Sequence, residues 1–191
     1  TKDRLYCDAV DSPRRRASQP AMATIRDTRC RLLAPLISFT ADEAWEAMGH
    51  ENSVHFEVFP EADSIESSPE ALAQIEGLIE SRHVIQKAIE EARQAKTIAR
   101  NDEAVIELAA PKDAVVHQLA DQLDLLKEFF IVSDLKVVEG DVHRAAVSSS
   151  GAGKCARCWR YVSDVGNDAT HPELCGRCVG ALRLGFTVVS S

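Results

Sequence analysis

The C-terminal stretch of the chain contains Cys155-x-x-Cys158, a sixteen-residue gap, and Cys175-x-x-Cys178. A two-residue gap lets both thiolates of a pair point into one tetrahedron from a tight turn. Two such pairs supply the four soft ligands of a closed structural zinc site, and the separation fits a zinc ribbon. Two disulfides, or a redox pair of the thioredoxin sort, are the competing uses of the same residues. His171 is a conceivable alternative ligand, but with four cysteines available a capping role suits it better. The apolar residues of this stretch (Trp159, Tyr161, Val162, Val165, Leu174, Val179, Leu182) are too few to hold a fold unaided. Metal binding would therefore supply most of its folding free energy. Four thiolates leave no open coordination position, so the one Zn2+ is expected to be structural and not catalytic.

The other two cysteines, Cys7 and Cys30, have no partner nearby in sequence and read as buried free thiols. That usage points to a reducing, cytoplasmic compartment. No apolar run approaches the roughly 18 residues of a membrane span, and no secretory signal is evident. A chain starting at Thr1 rather than Met reads as part of something longer. The net charge of −8 argues at first against a nucleic-acid partner. Its distribution does not: residues 1–31 carry +4 and residues 154–183 carry +2, which leaves −14 for 32–153. The two ends can face a polyanion and the middle cannot easily do so. By composition alone, Arg14-Arg15-Arg16 reads equally as a solvated helix face. The acidic residues of the middle show no paired acid/base arrangement and read as solvated surface.

The expected fold class is α+β and helix-rich. Ser12-Pro13 marks a helix start, with Met22, Ile25, Leu32, Leu33 and Leu36 as its apolar stripe and Pro35 as its end or kink. Thr40-Ala-Asp-Glu43 has the pattern of a capping box, opening a short helix that contains Trp45 and stops at Gly49. Residues 54–59 alternate and read as an extended exit. Residues 61–68 are polar and turn-like. Ser68-Pro69 opens a long helix with Leu72, Ile75, Ile79, Ile85 and Ile89 on its apolar face, at a cost of about 1 kcal/mol for Gly77. Strands are expected at 105–108, 131–138 and 142–147, with one helix marked by Val116, Leu119, Leu123, Leu126 and Phe130 between the first two. The expected domains are a partial helical bundle over 1–60, a small α+β unit over 61–147, a linker over 148–153, and the four-cysteine zinc finger over 154–191. Trp159 directly follows a ligand between Arg157 and Arg160, an arrangement suited to stacking on an unpaired base with phosphate contacts alongside. Service as the small module's core is the competing role for the ring.

Lys2-Asp-Arg-Leu-Tyr-Cys-Asp8, Ser12-Pro-Arg-Arg-Arg16 and Leu33-Ala-Pro-Leu-Ile-Ser-Phe-Thr-Ala-Asp-Glu-Ala-Trp45 are similar to the later helices of the anticodon-binding domain of isoleucyl-tRNA synthetase. Ala88 to Lys96 and Phe130-Ile-Val-Ser133 resemble the segment that follows. Lys154-Cys-x-x-Cys-Trp159 and His171-Pro-Glu-Leu-Cys-Gly-Arg-Cys-Val179 resemble the C-terminal zinc finger of the bacterial enzyme. The finger class also occurs in formamidopyrimidine-DNA glycosylases, which need an N-terminal Pro-Glu that Thr1-Lys2 does not supply. The resemblance implies the tRNA-contacting part of a class I synthetase. The bundle and finger would hold the anticodon stem-loop of tRNA(Ile), with Trp159 at the interface and Arg14, Arg15 and Arg16 as phosphate contacts. It also implies the parent enzyme's catalytic domains as partners and involves no membrane. The family's two ATP-handling signatures and its editing domain are not in this sequence, so the chain alone is not expected to activate isoleucine. A stand-alone zinc-ribbon remnant without tRNA specificity is the other reading.

Overall fold

The computed structural model describes residues 2–61 and 68–185, which divide into two compact units: 2–61 with 181–185, and 68–180. The polar turn expected at 62–67 and the tail from 186 onward lie outside the described residues.

The first unit is built from α1 (Lys2–Tyr6), α2 (Pro13–Leu33), α3 (Ser38–Glu46) and a 3-10 turn at Val54–Phe56. Pro13 occupies the first turn of α2, as its fixed φ favours. Pro20 lies within the same helix, where its missing N–H removes a backbone bond that the long helix tolerates. The helix ends at Leu33, two residues before Pro35. The capping box is not formed. α3 starts at Ser38, so Thr40 lies inside it, and the Ser38 hydroxyl donates back to the Ala34 carbonyl at 2.9 Å. Gly49 does end this segment, at φ +91° with its N–H on the Glu46 carbonyl. The alternation at 54–59 yields no strand: Val54 is buried, while Phe56, Val58 and Phe59 are exposed. Asp42 holds the turn by accepting from the Ser53 hydroxyl and the Val54 N–H. The core is small, comprising Cys30, Ala34, Ala41, Trp45 and Val54. Much of the expected stripe on α2, including Ile25 and Leu32, is exposed, and Met22 and Ile25 line an open groove of about 650 Å³.

The second unit opens with α4 (Pro69–Gln94), whose N-cap Ser68 accepts from the Ala71 N–H. Its buried face is Leu78, Ser81, Ile85, Ile89 and Ala92. Leu72, Ile75 and Ile79, expected inside, are exposed because the sheet covers only the later turns. Three strands follow: β1 (Ala104–Ala110), β2 (Asp134–Glu139) and β3 (Arg144–Ser149), in the order β2-β1-β3. β1 runs parallel to β2, with Val105 opposite Asp134, and antiparallel to β3, with Ala104 opposite Ser149. Alternate residues Ala104, Ile106, Leu108 and Ala110 of this central strand are fully buried. The helix expected between β1 and β2 is broken into α5 (Val115–Gln118), a 3-10 turn and α6 (Leu123–Phe130). β2 also begins later than expected. Ile131 turns left-handed (φ +60°) at the end of α6, and the Val132 N–H stays bonded to the Lys127 carbonyl.

Gly77 has a positive role. A Cβ there would lie 2.3 Å from Val115 Cγ2, so its hydrogen lets α5 lie against α4. Gly77→Ala should destabilise the unit by about 1–3 kcal/mol through overpacking, despite gaining about 1 kcal/mol of helix propensity. Chemical denaturation would read the penalty, which should shrink in a Val115→Ala background, where the 2.3 Å contact is gone and only the Cβ at 3.0 Å remains.

Candidate zinc centre and nucleic-acid interface

Residues 148–153, expected as a linker, are tied into the second unit. Ser148 and Ser149 end β3, and the Ser150 N–H donates to the Glu103 carbonyl at 3.0 Å. The Val162 N–H donates to the Gly153 carbonyl at 3.1 Å. The Ser133 hydroxyl donates to the Tyr161 carbonyl at 2.9 Å and lies 3.0 Å from Ser150 Oγ. The cysteine module is thereby bonded directly to the end of the sheet.

The first cysteine pair sits in a tight hairpin. Lys154 pairs with Tyr161 across an antiparallel bridge, and the Cys155 N–H donates to the Arg160 carbonyl. Inside this loop the Trp159 N–H closes onto the Cys155 carbonyl at 2.9 Å. That closure puts Trp159 at φ +64°, a left-handed conformation costing an L-residue about 1–2 kcal/mol. The second pair lies at the start of α7 (Gly176–Gly185), with the Val179 N–H on the Cys175 carbonyl. Gly176 does not turn its N–H toward a sulfur. It donates to Asp164 Oδ2 at 2.8 Å, and a Cβ at this position would crowd the same oxygen. The Cys175 N–H does reach sulfur, donating to Cys155 Sγ at 3.4 Å, and the N–H groups of Cys158 and Arg157 bond to the same sulfur. The main-chain N–H of His171 is held by Asp168 Oδ1, and His171 is not among the clustered ligands.

The sulfurs of Cys155, Cys158, Cys175 and Cys178 all lie within 4.8 Å of one another, and Cys158 and Cys175 are 3.8 Å apart. Tetrahedral zinc with bonds of about 2.3 Å sets its sulfurs roughly 3.8 Å apart, so the donor set fits the ion in both chemistry and size. Burial pushes the Cys155 thiol up, but the N–H groups of Cys158, Cys175 and Arg157 outweigh it and hold the thiol at about 6. Burial raises Cys175 and Cys178, whose neighbouring thiolates repel further charge. A cation relieves that repulsion. The four thiolates form the site of a single structural zinc, with no position left for substrate. Cys7 and Cys30 are buried thiols, as expected.

The basic candidates divide by what they touch. Arg157 Nη1 donates to Cys178 Sγ at 3.6 Å and so offsets thiolate charge. Arg160 is half-buried, its carbonyl engaged in the hairpin. Arg14 pairs with the buried Asp8 at 3.4 Å and with Asp3 at 3.7 Å, joining α1 to α2. Arg15 is half-buried, and the exposed Arg16 reaches Gln19. Arg14→Ala should therefore cost about 1–3 kcal/mol by weakening the pairing of a buried carboxylate. Arg16→Ala should stay within about 0.5 kcal/mol. Thermal melts of the two variants would separate them.

Trp159 is 61% exposed, so most of its ring is presented to solvent and not packed into the module. Lys154, which the sequence reading did not single out, places its ammonium 5.8 Å from the ring centroids of both Trp159 and Tyr161. Only the strand pairing reveals it. Its position before Cys155 carries no such signal.

A family model described as the anticodon-binding domain of tRNA ligase matches residues 1–108, more than half of the chain. The chain belongs to this tRNA-ligase family. A second model, a zinc finger found in FPG and IleRS, matches residues 153–180 and contains all four zinc ligands. The curated relatives are consistent with both. The isoleucine–tRNA ligase of Brachyspira hyodysenteriae is 35% identical over 95% of this chain and 21% of its own length. Those of Syntrophotalea carbinolica and Chromobacterium violaceum are each 37% identical over 95% of this chain, covering 21% and 20% of their lengths. The chain spans about a fifth of the length of these isoleucine–tRNA ligases, and its tRNA-ligase anticodon-binding region runs past the helical unit into β1. No helix among the described residues is long and apolar enough to cross a membrane.

Proposed function

We propose that this chain is the tRNA-contacting part of a cytoplasmic isoleucine–tRNA ligase. It grips the anticodon stem-loop of tRNA(Ile) while catalytic domains of the parent synthetase, its partners in the same enzyme, carry out aminoacylation. The observation that carries the reading is Trp159: a large aromatic ring held in a strained backbone conformation, yet largely exposed, beside a zinc site closed to chemistry. Strain of this kind persists where surrounding structure imposes it, and it clusters at functional positions. A ring presented in this way suits stacking on an unpaired anticodon-loop base, with Arg160 and Arg157 next to it in sequence as sources of positive charge. Arg16 and Arg15 offer phosphate contacts from the first unit, and Arg14 supports them chiefly by fixing α1 to α2. The exposed apolar groove of the first unit suits coverage by further parts of the parent enzyme.

The test is competition binding. Labelled tRNA(Ile) should bind the zinc-loaded chain in a salt-dependent manner and resist displacement by an unrelated tRNA at physiological salt. Equal displacement by both would favour the alternative, a zinc-ribbon nucleic-acid-binding or interaction module without tRNA specificity. Tighter binding to duplex DNA than to either tRNA would favour the DNA-repair use of the finger.

A further inference from the structure

The adjacency of Arg157 and Arg160 to Trp159 in sequence hides a third cation that is nearer to the ring in function. Lys154 lies opposite Tyr161 across the hairpin, and its ammonium is 5.8 Å from the centroids of both Trp159 and Tyr161. Ring quadrupoles attract an ammonium lying over the ring at this range, so two aromatic side chains position one charge over the exposed indole. Among the described residues no carboxylate pairs with Lys154, whereas Arg157 is turned to the Cys178 sulfur. The amine keeps its hydrogen-bond donors available, and a lysine stem lies along aromatic surface while its head stays in water.

We propose that Lys154 is an RNA-binding residue: it contacts the backbone phosphate of the nucleotide whose base stacks on Trp159. This rests on the tRNA-facing reading of Trp159 given above. The site is a three-residue unit in which Trp159 takes the base, Lys154 takes its phosphate, and Tyr161 fixes the height of the ammonium. The phosphate contact does not depend on base identity, so Lys154 contributes affinity and placement while other contacts discriminate sequence.

The experiment measures tRNA(Ile) affinity of the zinc-loaded chain across a salt series for wild type, Lys154→Met, Lys154→Arg and Trp159→Ala, with zinc content measured for each. Lys154→Met keeps a stem over the rings and removes the charge. Its plot of log K against log salt should flatten by about 0.7, the value for one single-strand phosphate contact. That corresponds to roughly eightfold weaker binding at 50 mM salt, with the difference vanishing towards 1 M. Lys154→Arg should restore the wild-type slope, and every variant should keep one zinc. An unchanged slope in Lys154→Met, whether or not affinity falls, overturns the phosphate contact even where Trp159→Ala abolishes binding. Full binding by Trp159→Ala, or none by wild type at 50 mM salt, overturns the reading beneath it.

Discussion

Trp159→Gly and Trp159→Ala should lose the same tRNA affinity but differ in stability, with glycine the more stable by about 1 kcal/mol. Trp159 holds φ +64°, in the left-handed region. Alanine retains the left-handed penalty of an L-residue, whereas glycine has no Cβ and escapes it. Part of the gain is offset by glycine's greater freedom in the unfolded chain, which keeps the difference near 1 kcal/mol. Both variants lose the ring. Base–aromatic stacking contributes about 1–3 kcal/mol, so affinity for tRNA(Ile) should fall about five- to 150-fold in each. Urea midpoints and filter binding on zinc-loaded protein read the two effects separately. Wild-type affinity in both variants would make the indole a packing residue, and greater stability of the alanine variant would contradict the strained knuckle.

Zinc removal should have the largest effect on structure. A structural zinc held by four thiolates contributes an apparent 10–16 kcal/mol or so at pH 7, comparable to the roughly 5–15 kcal/mol stability of an entire domain. The module's own apolar burial is slight, with Leu174 and Val179 the main buried non-ligand residues in 153–180. Chelation should therefore unfold 153–180 and erase amide protection there. The sheet has a separate core in Ile106, Leu108, Leu126 and Phe130, packed on Ile85 of α4, and should survive. Its edge should loosen, since the Ser133–Tyr161 bond is lost with the module. Hydrogen exchange with and without chelator would show protection lost at 155–179 and kept in β1. Persistent protection at 155–179 in metal-free protein, with the cysteines paired as disulfides, would contradict the zinc account.

The zinc ligands were legible in the sequence because a tetrahedral site imposes a short, fixed spacing on Cys155, Cys158, Cys175 and Cys178. Helix starts at Pro13 and Pro69 were legible for a similar reason: proline's ring dictates φ locally. What the sequence did not reveal depends on partners distant in the chain. Thr40 and Glu43 have the capping pattern, but the turn after Leu33 restarts the helix at Ser38 before Thr40 can cap it. Leu72 and Ile75 fit the helical period of α4, yet the sheet covers only its later turns. Gly77 reads as a propensity cost until Val115 is seen against it. Ser148 and Ser149 have linker composition but pair with Val105 and Ala104. At the proposed interface the sequence pointed to Trp159 by its neighbours. Its strain and its company, Lys154 and Tyr161, follow from hairpin geometry that no local pattern encodes.

On the proposed function, zinc shapes a surface that reads the anticodon loop. Nuclease and chemical footprinting of tRNA(Ile), with the zinc-loaded chain, the chelated chain and Trp159→Ala, tests it most directly. The zinc-loaded chain should protect anticodon stem-loop nucleotides, with protection lost on chelation and reduced at a loop base in Trp159→Ala. Protection confined to other parts of the tRNA, or loop protection indifferent to both zinc and Trp159, would contradict it.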